Sequence, residues 1–315
     1  RHAIPAAIGV FITAIGLTQA GIGIKDPGGG VVALGTIHST PTVLSLIGLL
    51  VILFLLVRGV RGAMIIGVLI TAALGIPLGV VSYSGIVSTP PSMAPTLFKL
   101  DIPGAMNLGL FTVLAVFLLM DMFDTIGTLV GVGQATGLMK DGSLPKARRA
   151  LFADATGTIT GALLGTSTVT SYIESTAGVR EGGRTGLTAL TVGVLMLLAT
   201  FFSPLVSMIG GGVPVLDDNG NLLRMLYPVT APVLIIVGSY MAKSLGKCNW
   251  EDMTDAVPAF LTVVGMAFTF NIGHGLAFGF ILYPLMKLMA GRRDEVSPLL
   301  WVLFAVFVAK YALLV

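Results

Sequence analysis

Charged side chains are scarce in this sequence: Asp, Glu, Lys and Arg together make up 10% of its 315 residues. Soluble domains carry about 25% charged residues, so a chain of this composition has too few polar groups to cover a water-facing surface. Hydrophobic residues reach 55%, and the mean hydropathy is +0.97. The composition therefore excludes a soluble globular domain and predicts an integral membrane protein.

Cysteine, histidine and basic clusters are also sparse. Cys248 is the only cysteine in the sequence, which excludes an intramolecular disulfide. The three histidines, His2, His38 and His274, lack the spacing of metal ligands. No basic run is interleaved with aromatic residues, so the net charge of +3 does not indicate a nucleic-acid partner. The sequence therefore predicts no metal and no cofactor, and membrane lipid as its surroundings.

The sequence is rich in long apolar runs. A membrane-spanning helix needs about 20 predominantly apolar residues, and recurring runs of this kind predict an all-α polytopic membrane protein rather than a barrel. The stretches 83–105, with four prolines, and 210–228 are predicted to be loops. The last apolar segment fits either a span or a helix at the membrane interface. The predicted segments are 4–22, 43–58, 62–82, 106–133, 149–165, 186–209, 229–245, 255–270, 272–290 and 298–315.

The distribution of Lys and Arg predicts an orientation, because these residues concentrate on the cytoplasmic side. If Arg1 is cytoplasmic, 14 of the 18 basic residues lie on that side, Lys25, Lys99 and Arg224 lie outside, and Lys310 is unassigned. The assignment requires residues 166–185 to cross much of the bilayer. The other cytoplasmic residues are Arg58, Arg61, Lys140, Lys146, Arg148, Arg149, Arg180, Arg184, Lys243, Lys247, Lys287, Arg292 and Arg293.

Two carboxylates lie inside an apolar run, in FLLMDMFDTIGTLVG at 117–131. At about 100° per residue, Asp121, Asp124, Thr125 and Thr128 share one face of a helix. A carboxylate inside a membrane costs about 2.5–3.5 kcal/mol on insertion scales, so this face is expected to line a cavity or contact protein. In the alternative, both acids lie at the mouth of the span or pair with a basic residue.

A second polar stretch, GTSTVTSYIESTAGV at 165–179, combines a β-favouring run from Thr168 to Ile173 with a more helical continuation from Glu174. Non-helical backbone is tolerated in a membrane only where it is buried in protein or lines a wet cavity. Many transporters build a midplane site from such discontinuous spans. The pattern predicts an extended stretch that leads into a half-helix, and its alternative is an ordinary loop with an N-capping residue.

Three stretches carry a family resemblance: MDMFDTIGTLVGVG, LLGTSTVTSYIESTAGVREGGRTGLTAL and VPAFLTVVGMAFTFNIGHGLAFGFILYPLMKL. They resemble the adenine/guanine/hypoxanthine permeases, the AzgA-like branch of the nucleobase–cation symporter-2 family. The resemblance implies a 14-span fold of two inverted seven-span repeats, in which a core domain (spans 1–4 and 8–11) moves against a gate domain (spans 5–7 and 12–14). It also implies purine uptake by proton symport across the cell membrane.

The resemblance divides this sequence into four parts. Residues 1–82 resemble gate spans 5–7, 83–105 an extracellular loop, 106–209 core spans 8–11 with a broken span 10, and 210–315 gate spans 12–14 with a C-terminal segment. Spans 1–4 are absent from the sequence, and with them the span 3 strand that would complete the site. We therefore do not expect this chain alone to transport. A homodimer is also compatible with the resemblance.

The resemblance also implies the site residues. Asp121 on span 8 and Glu174 on span 10 would grip the purine base, and Asp124 and Asp121 are assigned to proton coupling. A carboxylate accepts two N–H groups side by side through charge-assisted bonds, and burial raises its pKa, so one acid can also take up the coupling proton. The remaining predicted substrate contacts are Thr125, the backbone N–H of Ile173, and Ser175.

Two other functions were weighed against purine transport. An anion carrier of the same fold fits poorly, because acids at the half-helix would repel an anion. An intramembrane aspartyl protease needs two acids close enough to share a proton, but the Gly-x-Gly-Asp pattern expected of it is missing. Recovery of unchanged purine would separate a carrier from a protease, which would cleave a membrane peptide.

We predict that the loop carrying Lys140, Lys146 and Arg148 is cytoplasmic, on the same side as Arg58. A cysteine introduced by Gly142→Cys is expected to resist a membrane-impermeant maleimide in intact cells and to react after permeabilisation. Labelling of this cysteine in intact cells would reverse the orientation.

Overall fold

The structure is a computed structural model that describes residues 3–24, 33–107, 118, 121–122, 125–126, 128–129, 132–133, 137–139, 144–172, 175–180, 182–216 and 222–313. Its helices are α1 (Ala3–Gln19), α2 (Thr40–Val57), α3 (Ala63–Gly75), α4 (Ile102–Asn107), α5 (Ala147–Leu164), α6 (Ser175–Arg180), α7 (Gly186–Ala199), α8 (Ser203–Gly210), α9 (Ala231–Ala242), α10 (Met253–Thr269), α11 (Ile272–Met289) and α12 (Pro298–Leu313). The described residues from 118 to 133 are also helical, and we call them the Asp121 segment.

Three helices in the described part of the chain are long and apolar enough to cross a membrane. They are α2, α11 and the continuous stretch Gly186–Gly210, in which the 3₁₀ turn Thr200–Phe202 joins α7 to α8. Four further helices, α1, α3, α10 and the Pro298–Ala309 part of α12, are apolar but shorter. The prediction of a mostly helical chain with several apolar helices is confirmed.

Short antiparallel hairpins connect some of these helices. Strands β1 (Gly23–Ile24) and β2 (Ala33–Leu34) pair between α1 and α2, and β3 (Val213–Leu216) and β4 (Leu222–Leu226) pair between α8 and α9. The prediction of 210–228 as a plain loop was therefore wrong, because its two apolar arms pair as strands. The predicted loop 83–105 also ends in a helix, α4, where Asp101 Oδ1 accepts the Gly104 N–H at 2.9 Å.

The first helices of the chain pack against the last ones. Helix α1 lies against α9 and α10, and α2 lies against α3 and α9. The crossing of α1 and α9 is close: a Cβ added to Gly9 would lie 2.6 Å from Met241 Cβ and 2.7 Å from Gly238 O. Small residues permit such an approach between helices. The main apolar core joins α1, α10, α11 and α12 through Ala7, Val263, Met266, Leu276, Ala277, Phe280, Leu303 and Phe307.

The proline-rich segment, residues 83–101, is bonded to the ends of two other helical stretches. The bonds are Ser88 N–H to Phe201 O (2.9 Å), Ser88 Oγ with Ser203 Oγ (2.9 Å), Phe98 N–H to Leu163 O (2.9 Å) and Thr96 Oγ1 to Leu164 O (3.1 Å). Two of them satisfy carbonyls in the last turn of α5, which lack partners within the helix. The segment is therefore attached to α5 and to the junction between α7 and α8.

An ionic cluster holds the end of α11 against the start of α10. Lys287 is 1% exposed, and its Nζ lies 3.0 Å from Asp255 Oδ1, 2.9 Å from Glu295 Oε2 and 3.6 Å from Asp252 Oδ2. Arg292 Nε lies 2.6 Å from Glu295 Oε1, and its Nη1 donates to Asp252 Oδ2. We call these five residues the Lys287 cluster. A buried ammonium needs such partners, because an unpaired charge is costly to desolvate.

Hydrogen bonds within and beside the Lys287 cluster lower the pKa of two of its carboxyl groups. Hydrogen bonds from the Thr254 side chain and from Arg292 lower the pKa of Asp252, and hydrogen bonds from Arg292 and Lys287 lower the pKa of Glu295. Both folded pKa values therefore lie below the ordinary values of their carboxyl types, about 3.9 for Asp and 4.3 for Glu. The stabilisation from these groups is present above the ordinary pKa values and is lost as the pH falls through the folded pKa values.

We predict that Glu295→Gln lowers the melting temperature of the detergent-solubilised protein at neutral pH, because Lys287 and Arg292 lose a charged partner. The difference from the parent should shrink as the pH falls below about 4 and through the lowered pKa of Glu295, because the parent carboxyl then becomes protonated as well. Asp294→Asn is the matched control, since Asp294 is 97% exposed and loses the same charge. Equal melting temperatures for the two variants would contradict the prediction.

Candidate functional site

The candidate site lies where α5 ends and the next stretch leaves the helical conformation. Gly165 ends α5 in the left-handed conformation (φ +80°), which glycine adopts without a Cβ penalty. Residues 166–172 then lie outside any helix, and α6 begins at Ser175. We call residues 166–172 the extended segment. The structure thus has non-helical backbone where the Thr/Val/Ser-rich sequence predicts it.

Asp121 contacts the extended segment directly. It is half-buried on the Asp121 segment, and its Oδ1 accepts a hydrogen bond of 2.6 Å from the Thr168 hydroxyl. A short bond from a hydroxyl to a carboxylate is charge-assisted and stronger than a bond between neutral groups. This contact joins the Asp121 segment to the extended segment through their side chains.

A second carboxylate, Asp154 on α5, lies at the same junction. Its Oδ2 accepts from Thr125 Oγ1 at 3.0 Å, and its Oδ1 accepts from Ser171 Oγ at 3.2 Å. Thr125 is 1% exposed, and its hydroxyl oxygen also lies 3.1 Å from Thr170 Oγ1. Asp154 therefore connects three parts of the chain: α5, the Asp121 segment and the extended segment.

The sequence analysis missed Asp154, although the signal for it was present. In ARRALFADATGTITGALL, the polar or small residues Asp154, Gly157, Thr158 and Gly161 recur at i, i+3, i+4 and i+7. This spacing places them on one face of α5. The face is polar within a stretch that was predicted only as an apolar span.

The predicted site residues fall into two groups. Asp121 and Thr125 are described, and each takes part in the hydrogen bonds above. Ser175 is the first residue of α6; it is exposed, and its N–H donates to Tyr172 O at 3.2 Å. Asp124, Ile173 and Glu174 lie outside the described residues. Their predicted roles stay predictions.

The chemistry of this junction is that of hydrogen-bond acceptors. Within the described residues, neither Asp121 nor Asp154 forms an ion pair with a Lys, Arg or His. Ionised carboxylates accept hydrogen bonds and cannot donate them. The pair can therefore hold a neutral ligand that carries N–H groups, or take up a proton, and it would repel an anion.

Comparison with known proteins identifies the family. The model of the Permease family (Xan_ur_permease) matches residues 1–217. The chain is 42% identical over 317 residues to the guanine/hypoxanthine permease PbuG of Bacillus subtilis, covering 100% of this chain and 68% of PbuG. It is 40% identical over 311 residues to the adenine permease AdeP of Escherichia coli, covering 98% of this chain and 66% of AdeP.

A third relative, the guanine/hypoxanthine permease PbuO of Bacillus subtilis, is 42% identical over 312 residues, covering 97% of this chain and 68% of PbuO. The chain thus spans about two thirds of the length of these relatives. The match to the family model covers more than half of the chain, and the protease alternative is excluded with it. The apolar helices, the polar junction and these matches establish that the chain belongs to the permease family, as a multi-pass transport protein of the cell membrane and not an enzyme.

Proposed function

We propose that this protein takes up purine nucleobases, with adenine, guanine and hypoxanthine as the candidate substrates. The relatives at 40–42% identity are adenine and guanine/hypoxanthine permeases, which supports a purine. The observation that carries the proposal is the junction of Asp121 and Asp154 beside the extended segment. Within the described residues it offers two carboxylates that accept hydrogen bonds from hydroxyls and form no ion pair, in an otherwise apolar part of the chain.

Purine bases are flat, neutral and rich in N–H donors, which suits carboxylate acceptors. In the proposed site, Asp121 and Glu174 accept ring and exocyclic N–H groups, the Ile173 N–H donates to a ring nitrogen, and Ser175 lies at the start of the half-helix. Thr125 supports the site through Asp154, because its hydroxyl hydrogen is directed to that carboxylate.

Proton symport is the proposed coupling, with the proton on Asp121 or Asp124. The hydroxyls around Asp121 can accommodate the protonated form. A neutral Asp121 would donate to Thr168, and the Thr168 hydrogen would then turn towards Thr158 Oγ1, 3.4 Å away. Thr158 can accept it, since its own hydrogen already goes to Val169 O. Uptake of the proton therefore leaves no hydroxyl unsatisfied.

The proposed movement is that of a core domain against a gate domain, within a fold of two inverted repeats. The packing of α1 against α9 and α10, and of α2 against α9, supports a gate built from both ends of this chain. Residues 106–209 would form the core part, with α5 and the extended segment moving together. A homodimer stays a prediction.

Uptake of labelled adenine, guanine and hypoxanthine tests the proposal. A bacterial strain deficient in purine uptake, expressing the complete gene, should accumulate at least one of the three unchanged. Accumulation should fall when an ionophore dissipates the proton gradient and persist without sodium. Membrane abundance is measured in parallel. An abundant protein that accumulates none of the purines would overturn the proposal, and accumulation that requires sodium would replace the proton as coupling ion.

We predict that Glu174→Gln weakens purine binding by roughly tenfold to a hundredfold. The change keeps the side-chain shape but turns one acceptor oxygen into an NH₂ donor, and a buried unsatisfied polar group costs about 1–3 kcal/mol, at about 1.4 kcal/mol per tenfold. Glu174→Asp, which keeps the charge, should be milder. Binding and uptake are measured at equal membrane abundance, and binding as tight as the parent's would show that Glu174 is not a ligand.

We also predict that Asp154→Asn reduces the initial rate of purine uptake by about tenfold or more. One of the two hydroxyls that now donate to Asp154, those of Thr125 and Ser171, would meet an NH₂ group, at a cost of about 1–3 kcal/mol. Asp294→Asn, an exposed change of the same kind, is the control and should transport as the parent does. Unchanged uptake by Asp154→Asn would remove this residue from the site.

A further inference from the structure

The extended segment runs antiparallel to α5, in contact with one face of it. Ser171 bonds to Asp154 near the start of α5. Val169 packs beside Gly157, where an added Cβ would lie 3.2 Å from Val169 Cγ1. Nearer the end of α5, a Cβ on Gly161 would lie 2.8 Å from Thr166 Oγ1. Residues later in the segment contact residues earlier in α5. The helix therefore contacts the segment along most of its length.

Among the described contacts, Thr158 is the residue of this face whose side chain bonds to the backbone of the extended segment; the Gly161 carbonyl accepts the Thr166 N–H at 2.9 Å through its backbone. The Thr158 hydroxyl donates to Val169 O at 2.7 Å. The hydroxyls of Thr156 and Thr160 on the same helix instead donate to their own helix, to Ala153 O and Thr156 O, both at 2.8 Å. Threonine hydroxyls in helices commonly return to a carbonyl of the preceding turn. The hydroxyl of Thr158 is directed out of its helix.

Backbone carbonyls outside a helix or sheet need a partner in an apolar environment, because leaving one unsatisfied is costly. Thr158 provides that partner at the middle of the extended segment. Two further contacts lie on opposite sides of Val169 along the segment: Thr168 donates to Asp121, and Ser171 donates to Asp154. The Thr158 bond thus holds the backbone of the segment between the residues that contact these two carboxylates.

We propose that Thr158 is a positioning residue for substrate binding. It holds the Val169 carbonyl, and thereby fixes the extended segment that leads to Ile173 and Glu174. The inference rests on the proposed function, because it takes the start of the half-helix as the purine site. Thr158 does not touch the purine; it acts through the segment. Gly157 and Gly161 contribute by leaving the space that the segment occupies.

Thr158→Val tests the inference, because it keeps the side-chain shape and removes the donor. The KM for purine uptake should rise by about tenfold, as expected for one lost hydrogen bond that leaves a carbonyl unsatisfied, with a smaller change in kcat. Thr158→Ser keeps the donor and should restore most of the affinity. Thr160→Val is the matched control, two residues further on, and should leave KM and kcat unchanged.

Labelling of a cysteine gives a readout that does not depend on transport. With Cys248→Ser removing the only native cysteine, Val169→Cys places a thiol where the segment packs on Gly157 and Gly161. Thr158→Val should increase its rate of reaction with a maleimide severalfold, and Thr160→Val should not. If Thr158→Val does not reach the membrane, Gly161→Ala replaces it. Its Cβ would push on Thr166 and Val169, and the same rise in KM and labelling rate is expected.

The outcomes separate the two proposals. If the parent accumulates purine and Thr158→Val matches it in KM and labelling rate, the positioning role is wrong and the proposed function stands. If the parent accumulates no purine, the proposed function fails, and the labelling rates alone decide whether Thr158 holds the segment. A loss of uptake that Thr158→Ser does not restore would also contradict the role of the hydroxyl donor.

Discussion

The backbone between Thr166 and Tyr172 leaves the helical pattern inside an apolar part of the chain, so its polar groups lose the regular bonds of a helix. The Thr158 hydroxyl donates to the Val169 carbonyl, while Asp121 and Asp154 accept the hydroxyls of two residues of the extended segment. The need for hydrogen-bond partners accounts for the local composition of the junction, where hydroxyl side chains, glycines and two carboxylates are concentrated. If this stretch were helical, its backbone groups would bond within the helix and would need no polar side chains nearby. Without those side chains, the non-helical backbone would have fewer hydrogen-bond partners.

Much of this arrangement follows from the sequence, because apolar length and β-branched runs are local properties. The spans near 43–58, 149–165 and 272–290 are close to α2, α5 and α11, and the extended character of Thr168–Tyr172 follows from its residues. The hydrogen bond between Thr125 and Asp154 could not be predicted in this way, because the two residues are distant in sequence and the helix of Asp154 was predicted only as an apolar span. The β3–β4 hairpin was missed because its turn residues were given more weight than its flanking apolar arms.

The Lys287 cluster shows which property of charged residues cannot be predicted from their positions in the sequence. Lys287 was counted as one more cytoplasmic charge, yet it is buried among Asp252, Asp255 and Glu295. The three acids come from the start of α10 and from the 3₁₀ turn after α11, so their meeting depends on how the α10–α11 pair folds back on itself. The charge distribution along the sequence predicts sidedness, whereas the pairing of these charges is set by the tertiary structure.

The proline-rich segment bears on where foreign sequence can be inserted into this protein. Its prolines and exposed side chains suggest a free surface loop, of the kind in which epitope tags are tolerated. However, the N–H groups of Ser88 and Phe98 are committed to carbonyls at the ends of two distant helical stretches. Tolerance depends on the bonding of the backbone concerned, so an insertion between residues 88 and 98 would break contacts to two distant helical stretches, although the exposed side chains suggest a permissive site.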